Sequence, residues 1–476
     1  MVRKFRFNFA KLTSKATSQL AKYGSGEGKA IPGYIFLKVG GIESLRELAN
    51  ELKLGSILVT GTNGKTTTTT FLIKLLSNDL KIRKSFESNT INSITTSLLK
   101  QKGDLGVFEY GIRNVEFGIP DKVQNVLKPI GVVYTTISKE HTQVNGVKNP
   151  FLSYYHAKKL LTQDMEHGVI VTNCDDPRTA LIGINKQDRV KINYYGIDTD
   201  KIKDIYDVGS VKCPKCNEHD LNYSKVFMNH RGFYECECGF KRPEPNVKLC
   251  DIEFGVDYWK LEIEGDLFNY PAKENVSFEL ELNVLPFGFH NIYNTLAAIT
   301  AYASFTPKID NIENTIKNVF DNLDSSFIPP GRFEVVKFNQ KVIGLGQGDN
   351  GDALKINGLF MSQFIKEPLE FIYTTPDEYE EEIFQDHLKT IECLNPEHII
   401  VVPGRKSVKK AEEYYNLIKK EFDNVDFYPL SYKEMDVKIK KLTELATHSN
   451  YDYVMMSGCG EEQAMWEKIK RNIVNR

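Results

Sequence analysis

Short apolar runs alternate with longer amphipathic stretches between about residue 55 and residue 200. The runs SILVT, LGVFEY, IGVVYTTI and GVIVTN predict buried strands, and TTFLIKLLSN, VEFGIPDKVQNVL and NPFLSYYHAKKLLTQ predict helices. Strands that alternate with helices are typical of a doubly wound, mostly parallel α/β sheet. Residues 247–285 instead alternate strictly, which predicts antiparallel strands, and GFHNIYNTLAAITAYASF predicts a long helix.

A second α/β pattern begins after PPGRFEV, with KVIGLG, EFIYTT, HIIVVPG and YVMMSG as its predicted strands. These changes of pattern predict a short basic segment or small domain (1–54), a central α/β domain (55–330) and a C-terminal α/β domain (331–476). Residues 1–24 contain basic residues and no acidic one, which predicts a packed helix with a solvated basic face. The alternative for this segment is a contact with an acidic precursor or an anionic surface.

Composition narrows the class of protein. The chain has 476 residues, of which 41% are hydrophobic and 26% charged, as in globular proteins with a full core. The net charge of −2 gives no global attraction to nucleic acid. No apolar run approaches the roughly 20 residues of a membrane span, and no signal-peptide core is evident. We therefore expect a cytoplasmic protein without an integral membrane segment.

Four of the eight cysteines form a cluster that interrupts the central pattern at about 205–245. CPKC and CEC supply two close pairs, Cys213 with Cys216 and Cys236 with Cys238. Two thiolate pairs on turns are typical of a tetrahedral zinc site in which the protein fills every position. The spacing predicts an inserted zinc ribbon that depends on structural Zn²⁺ for its fold.

The stretch VTGTNGKTTTTTFL, residues 59–72, places a glycine-rich turn between a predicted strand and a predicted helix. In that context backbone N–H groups can bind phosphate, Lys65 can neutralise phosphate oxygens and Thr66 can bind Mg²⁺. The usual P-loop would carry glycine where Val59 stands, so this is a variant loop. The predicted nucleotide-binding residues are Gly61, Thr62, Asn63, Gly64, Lys65, Thr66 and Thr67.

GTNGKTT resembles the signature of the Mur ligase family, which includes folylpolyglutamate and cyanophycin synthetases. Further stretches resemble family motifs in the family's order: VFEYG, TTISKEHTQVNG, YYHAKKLL, VTNCDDP, GFHNIYNTLAA and PPGRFEV. The resemblance implies ATP and two Mg²⁺ ions. It makes Glu109 and His141 metal ligands and Lys158 a carbamylated ligand of the second ion.

The resemblance also assigns the other sites. His290, Asn291 and Asn294 would read the adenine, and Arg332 would reach the phosphates. Asn173, Asp175 and Asp176 would shape a turn at the edge of the site, although turn formation alone explains them equally well. Farther along, Asp349, Asn350 and Asp352 are candidates for the substrate side, and Arg405 for a substrate carboxylate.

What the resemblance implies is an ATP-dependent ligase that forms an acyl phosphate and then an amide. Residues 1–54 are too few for the family's usual UDP-binding domain, and a four-cysteine ribbon resembles MurT-type proteins and archaeal relatives. His141 and Lys158 are typical of the amino-acid-adding members, and IYTTPDEYEEE lacks the DNxADGRDxSW stretch of MurT. Archaeal pseudomurein peptide ligases resemble this mixture, so we expect amino-acid addition to a cell-wall precursor and favour that of pseudomurein.

Three alternatives stay open. The second hypothesis is a MurT-like subunit that works with a glutaminase to amidate lipid II. The third is a folylpolyglutamate-type ligase, against which the ribbon counts. The fourth is a nucleotide-binding, zinc-containing interaction module without ligase activity.

Overall fold

A computed structural model describes residues 2–20, 30–86, 88–112, 114–115, 119–138, 150–186, 190–202, 209–366, 368–460 and 462–475. The strands are β1 (Gly55–Thr60), β2 (Ile82–Ser85), β3 (Leu105–Glu109), β4 (Pro129–Tyr134), β5 (Val169–Asn173), β6 (Lys191–Ile197), β7 (Asn222–Met228), β8 (Arg231–Glu235), β9 (Val247–Phe254), β10 (Trp259–Asn269), β11 (Glu274–Val284), β12 (Glu334–Phe338), β13 (Lys341–Gln347), β14 (Leu369–Thr375), β15 (His398–Pro403), β16 (Val425–Phe427) and β17 (Tyr453–Gly458). The helices are α1 (Val2–Leu20), α2 (Ile31–Gly40), α3 (Ile42–Ala49), α4 (Lys65–Leu76), α5 (Ile91–Lys100), α6 (Val123–Leu127), α7 (Pro150–Leu160), α8 (Pro177–Ile184), α9 (Asn291–Phe305), α10 (Ile312–Asp321), α11 (Gly351–Ser362), α12 (Glu381–Leu394), α13 (Val408–Glu421), α14 (Met435–Thr447) and α15 (Gln463–Val474).

The first sheet has the strand order β11-β10-β9-β6-β5-β4-β1-β3-β2. Its strands run parallel from β2 to β9, and β10 and β11 extend it as an antiparallel edge. The apolar interior of β1 (Ile57, Leu58 and Val59) is fully buried, as expected for a strand covered on both faces. Because β1 lies between β3 and β4, the strand order reverses there. The carboxyl ends of these three strands form the crevice where such sheets bind ligands.

The second sheet has the order β12-β13-β17-β14-β15-β16, with all neighbours parallel except β12 and β13. The hairpin β7–β8 stands apart from both sheets. The predicted α/β class with large parallel sheets is therefore confirmed, as are the antiparallel strands within 247–285.

One predicted helix is much shorter than expected. VEFGIPDKVQNVL predicts a helix over 115–127, but in the described part only Val123–Leu127 is helical. Ile119 has a positive φ of 45° and is followed by Pro120, so the backbone turns before the helix begins. A residue before proline is sterically excluded from the α region, which explains the late start.

The N-terminal helices pack on the first sheet's flank. The buried Ser14 hydroxyl of α1 donates to the Pro32 carbonyl at 2.9 Å, and the Gly33 N–H of α2 donates to Thr96 Oγ1 of α5 at 2.9 Å. Lys11 pairs with Glu51 at 2.8 Å. A packed basic helix is thus confirmed. Among the described helices, none has the length and apolar character that crossing a bilayer requires.

Candidate active site

The loop between β1 and α4 depends on two glycines. Gly64 has φ +83° and Gly61 φ +152°, conformations that residues with a Cβ rarely adopt. A Cβ on Gly64 would lie 2.2 Å from Asn294 Oδ1, and one on Gly61 would lie 1.9 Å from Thr135 Oγ1. The loop therefore touches both the start of α9 and the end of β4, which brings two distant predicted motifs together.

Three predicted residues meet at the start of α4. The Thr66 hydroxyl donates to Glu109 Oε2 at 2.9 Å, and Glu109 is buried at the end of β3, opposite Val59. Lys65 is the first residue of α4, and its Nζ donates to the Thr62 carbonyl at 2.5 Å. A hydroxyl and a carboxylate oxygen in contact are the donors that a hard divalent cation such as Mg²⁺ prefers, so these residues fit the predicted metal site.

Other loop residues hold the loop's shape. The Thr62 N–H donates to the Thr136 carbonyl at 2.6 Å, and Thr62 Oγ1 accepts from the Ser138 N–H at 3.0 Å. The Asn63 carbonyl accepts from the Thr135 hydroxyl at 2.6 Å. The side chain of Thr62 is therefore used within the protein, while Thr67 lies half-buried in the first turn of α4.

The later threonines of the run also have local partners. The hydroxyls of Thr69 and Thr70 donate to the carbonyls of Lys65 and Thr66, at 2.7 and 2.8 Å. Threonine is a mediocre helix former, and these bonds to the preceding turn satisfy its polar group inside the helix.

Lys158 is completely buried directly beneath the loop. Its Nζ donates to Thr60 Oγ1 and to the Gly61 carbonyl, both at 2.9 Å. Burial lowers the pKa of Lys158 well below its usual range, and the nearby charge of Lys65 lowers it further, while Glu109 opposes the shift. Lys158 therefore shares the site with Lys65 and Glu109. His141 lies outside the described residues.

The turn over residues 173–176 is a buried polar junction. Asp176 Oδ2 accepts from the Ile137 N–H at 2.9 Å and the Thr136 hydroxyl at 3.0 Å, and its Oδ1 accepts from the Arg178 N–H at 3.0 Å. Burial alone would raise the pKa of Asp176, but His230, the charge of Arg178 and the Ile137 N–H together hold this pKa far below its usual range.

Asp175 is satisfied from three directions. It accepts from Arg242 Nε at 2.6 Å, the Ile197 N–H at 2.8 Å and the Tyr293 hydroxyl at 2.9 Å. Both aspartates are fully buried, whereas surface turns leave such residues in water. The turn thus joins the end of β4, helix α9 and the cysteine-rich insertion.

The start of α9 carries the three residues expected to read a base. The Asn291 amide donates to the Leu285 carbonyl at 3.3 Å, and its Oδ1 is buried with no hydrogen-bond partner among the described residues. Such an orphaned acceptor fits the exocyclic amino group of adenine. Burial lowers the pKa of His290 well below its usual range, and the cations Arg231 and Arg332 lower it further, so His290 is neutral and both guanidiniums are near it.

The four clustered cysteines converge. Their Sγ atoms lie within 4.8 Å of one another, with Cys213–Cys238 and Cys216–Cys236 both at 3.8 Å. Zn–S bonds of about 2.3 Å in a tetrahedron require sulfurs roughly 3.8 Å apart, so the arrangement fits zinc.

The C-terminal candidates divide into two kinds. Arg405 is held by two carboxylates, with Nε 3.3 Å from Glu380 and Nη2 3.7 Å from Asp349. Asn350 caps α11 by accepting from the Ala353 N–H at 2.8 Å, which is a local structural role. Asp352 follows it in the exposed first turn of that helix. None of these contacts links them to the loop after β1.

Sequence reasoning missed Thr136, His230 and Arg231. Thr136 is an inconspicuous residue after β4, and the other two belong to the turn and β8 of the hairpin in the insertion. Only the fold shows that this hairpin lies against the 173–176 turn, and no local sequence signal marks it.

Comparisons with known proteins identify several relatives of the chain. The model of the Mur ligase middle domain matches residues 59–234. The chain is 33% identical over 421 residues to the UDP-N-acetylmuramoyl-tripeptide–D-alanyl-D-alanine ligase of Borreliella burgdorferi, covering 83% of this chain and 74% of that protein. It is 26% identical over 341 residues to the MurT subunit of lipid II isoglutaminyl synthase (glutamine-hydrolyzing) of Staphylococcus aureus, covering 70% and 69%.

Among solved structures, the pseudomurein peptide ligase type C of Methanothermus fervidus is similar in fold. The TM-score is 0.61 at 24% identity, and the match covers 95% of this chain and 85% of that chain.

Proposed function

Because the chain belongs to the Mur ligase family, whose members are ATP-dependent, ADP-forming amide ligases, we propose that it adds an amino acid to the peptide of a cell-wall precursor. The observation that carries the proposal is the contact between Thr66 and Glu109 beside Lys65. We favour the pseudomurein precursor, because Lys158 lies in the site, a four-cysteine ribbon is inserted, and the fold is similar to that of a pseudomurein ligase.

The proposed reaction gives each of these groups a role. Lys65 and the N–H groups at the start of α4 bind and orient the phosphates of ATP, so that the γ-phosphoryl group faces the substrate carboxylate. The carboxylate oxygen attacks phosphorus and ADP leaves. An amine then attacks the acyl phosphate, phosphate leaves, and the amine loses a proton. Mg²⁺ held by Thr66 and Glu109 would offset charge during phosphoryl transfer. Asn291 and Asn294 would hold the base.

Lys158 is proposed to act as a carbamate. Its neutral amine would add CO₂ and release a proton, giving an anionic oxygen ligand for a second metal ion. Burial supports this assignment, because the lowered pKa makes the neutral, reactive amine available. A carbonyl ¹³C signal after incubation with ¹³C-bicarbonate, absent in Lys158→Met and present in the control Lys159→Met, is expected. An unlabelled wild-type protein would overturn the carbamate.

The four cysteines are proposed to bind one structural Zn²⁺. The fit of their Sγ distances to tetrahedral coordination supports this, and elemental analysis of the purified protein tests it. We propose a cytoplasmic location, which reduced thiolates and the use of ATP would both require.

The deciding experiment is a release assay for ADP. The purified chain is incubated with ATP, Mg²⁺, murein or pseudomurein precursors, and each amino acid in turn, with ammonia as a separate nucleophile. We expect release that requires both one precursor and one amino acid, and that Lys65→Ala abolishes. Turnover that persists in Lys65→Ala would show that the site is wrong, and turnover with no amino acid or amine would remove the ligase proposal.

The second candidate is an amidotransferase subunit, favoured by the 26% identity to MurT. In that case ammonia, or glutamine with a glutaminase partner, would replace the amino acid as nucleophile. The ammonia arm of the same assay separates the two functions.

A further inference from the structure

We propose that Arg231, in the cysteine-rich insertion, binds the anionic nucleotide of the active site, so that the insertion is a part of the ATP site. The inference rests on the ATP site proposed above. It adds to that site a residue from outside the motifs that the chain shares with its family.

Arg231 is directed toward the phosphate loop by the hairpin β7–β8. It is the first residue of β8, pairs with Met228, and its Nε donates to the Met228 carbonyl at 3.1 Å. Its Nη1 donates to Thr136 Oγ1 at 3.4 Å. The Thr136 carbonyl in turn accepts the N–H of Thr62 in the glycine-rich loop. One residue therefore separates the guanidinium from the loop expected to hold phosphate.

The position of the hairpin is fixed by direct bonds to the 173–176 turn. The Gly232 N–H donates to the Asp175 carbonyl at 3.1 Å, and the Tyr234 hydroxyl donates to the Cys174 carbonyl at 2.9 Å. Arg242 adds its 2.6 Å bond to the Asp175 carboxylate. Because Gly232 and Tyr234 of the same strand are anchored, Arg231 has a defined place.

Arg231 reaches a carboxylate only indirectly, because Thr136 Oγ1 accepts from Arg231 and donates to Asp176 Oδ2. Arg242 is paired with Asp175, and His230 lies 3.4 Å from Asp176. Arg231 is 3% exposed, yet it forms no ion pair with a carboxylate in the described part of the chain, and no hydrogen bond of its Nη2 group is found there. A buried charge is costly unless it has a partner of opposite charge, which points to an anionic ligand.

The surroundings favour the nucleotide as that ligand. The charges of both Arg231 and Arg332 act on neutral His290 at the start of α9. The guanidinium of Arg231 also lies 5.3 Å from the ring centre of Tyr293, one turn farther along this helix. The two guanidinium groups can bind an anion, and the Tyr293 ring can lie beside a base. These surroundings therefore fit a nucleotide.

The test is calorimetric titration of the full chain with ADP and with a non-hydrolysable ATP analogue, both with Mg²⁺. We expect Arg231→Met to weaken binding at least tenfold and Arg231→Lys to weaken it less, since lysine keeps the charge but lacks the fork. The control is Lys225→Met, because Lys225 is a cation of the same hairpin that bonds to Asp200 and the Thr199 carbonyl instead. Its affinity should stay within twofold of the wild type.

Melting curves distinguish a structural role of Arg231 from a role in nucleotide binding, and the Lys65→Ala variant tests the proposed ATP site itself. If Arg231→Met lowers the melting temperature but leaves nucleotide affinity unchanged, Arg231 is only structural and the inference is overturned. If Arg231→Met unfolds the protein, the affinity of Arg231→Lys for nucleotide is the test. An unchanged affinity in Arg231→Lys then rejects the inference. If Lys65→Ala also binds normally, the proposed ATP site itself is wrong, whereas loss in Lys65→Ala alone rejects only the role of Arg231.

Discussion

Replacing Asp176 by asparagine removes one buried charge while keeping the size of the side chain. Asparagine can still accept at one oxygen, but its amide nitrogen must then face donors that the carboxylate satisfied. The Arg178 N–H at 3.0 Å loses its acceptor if the retained oxygen stays with Ile137 and Thr136. His230 Nε2, 3.4 Å away, loses a neighbouring carboxylate but no hydrogen bond. A buried hydrogen bond to a charged group contributes about 1.5–3 kcal/mol, so losing the bond from Arg178 should make Asp176→Asn cost roughly 1.5–3 kcal/mol.

The assay is urea unfolding followed by tryptophan fluorescence. The chain has 2 tryptophans, so a Trp466→Phe background leaves Trp259, fully buried in β10 of the first sheet, as the reporter. The matched control is Asp200→Asn, because Asp200 is exposed although it also pairs with a cation, Lys225. An exposed pair contributes little, so this control should unfold like its background. A cost for Asp176→Asn below about 1 kcal/mol would refute the view of the turn as a buried junction.

The Asp176 carboxylate also makes the free energy of unfolding depend on pH, and the direction of that dependence can be predicted. The folded-state pKa of Asp176 lies below the 3.8 of an unperturbed aspartate. Below that value the unfolded state binds a proton that the folded state does not, so stability falls with falling pH. The difference in unfolding free energy between the parent and Asp176→Asn should be complete above pH 3.8 and shrink below it. A difference that grows on acidification would contradict the assignment.

Three further perturbations test the site. Glu109→Gln should lower the rate of ADP release roughly 100-fold, since it removes an anionic metal ligand; an unchanged rate would exclude Glu109 from the site. Gly64→Ala should weaken ATP binding roughly tenfold or more in calorimetry, because its Cβ would lie 2.2 Å from Asn294 Oδ1. The control Gly209→Ala also has a positive φ, +63°, but no described atom lies within 4 Å of its added Cβ, so it should bind normally. Cys216→Ser should lose one equivalent of zinc by elemental analysis and lower the melting temperature, and Cys393→Ser should do neither; a zinc-free wild type would contradict this.

The meeting of Thr66 with Glu109 was predictable from the sequence. Thr66 follows the buried strand β1 and Glu109 is the last residue of the buried strand β3. The carboxyl ends of such parallel strands lie at one edge of the sheet. The register of Val59 opposite Glu109 confirms that expectation. The class of fold and the packed N-terminal helix follow from periodicity in the same way. The helix predicted over 115–127 was wrong because Pro120 overrides the apolar pattern locally.

The sequence does not predict the contacts between helices, strands and loops that are far apart along the chain. Lys158 is buried beneath the loop, whereas its neighbour Lys159 is half-buried. The local hydrophobic pattern does not distinguish them, because both are basic residues on the same predicted helix. The ion pair of Arg242 with Asp175 joins residues 67 positions apart, and it exists only because the hairpin lies on the turn. Asp175 and Asp176 therefore read as ordinary turn formers, although each is a fully buried acceptor.

The 173–176 turn connects parts of the protein that the sequence presents as separate. Through Asp176 and Thr136 it reaches the glycine-rich loop, through Tyr293 it reaches α9, and through Arg242 it reaches the insertion. Because these bonds are buried, shifting one partner leaves polar groups of the others unsatisfied, so the elements should move as a unit. Coupling of this kind is reciprocal: if loss of zinc weakens nucleotide binding, bound nucleotide must raise zinc affinity by the same factor. Buried hydrogen bonds thus link the glycine-rich loop to an insertion more than 130 residues away along the chain.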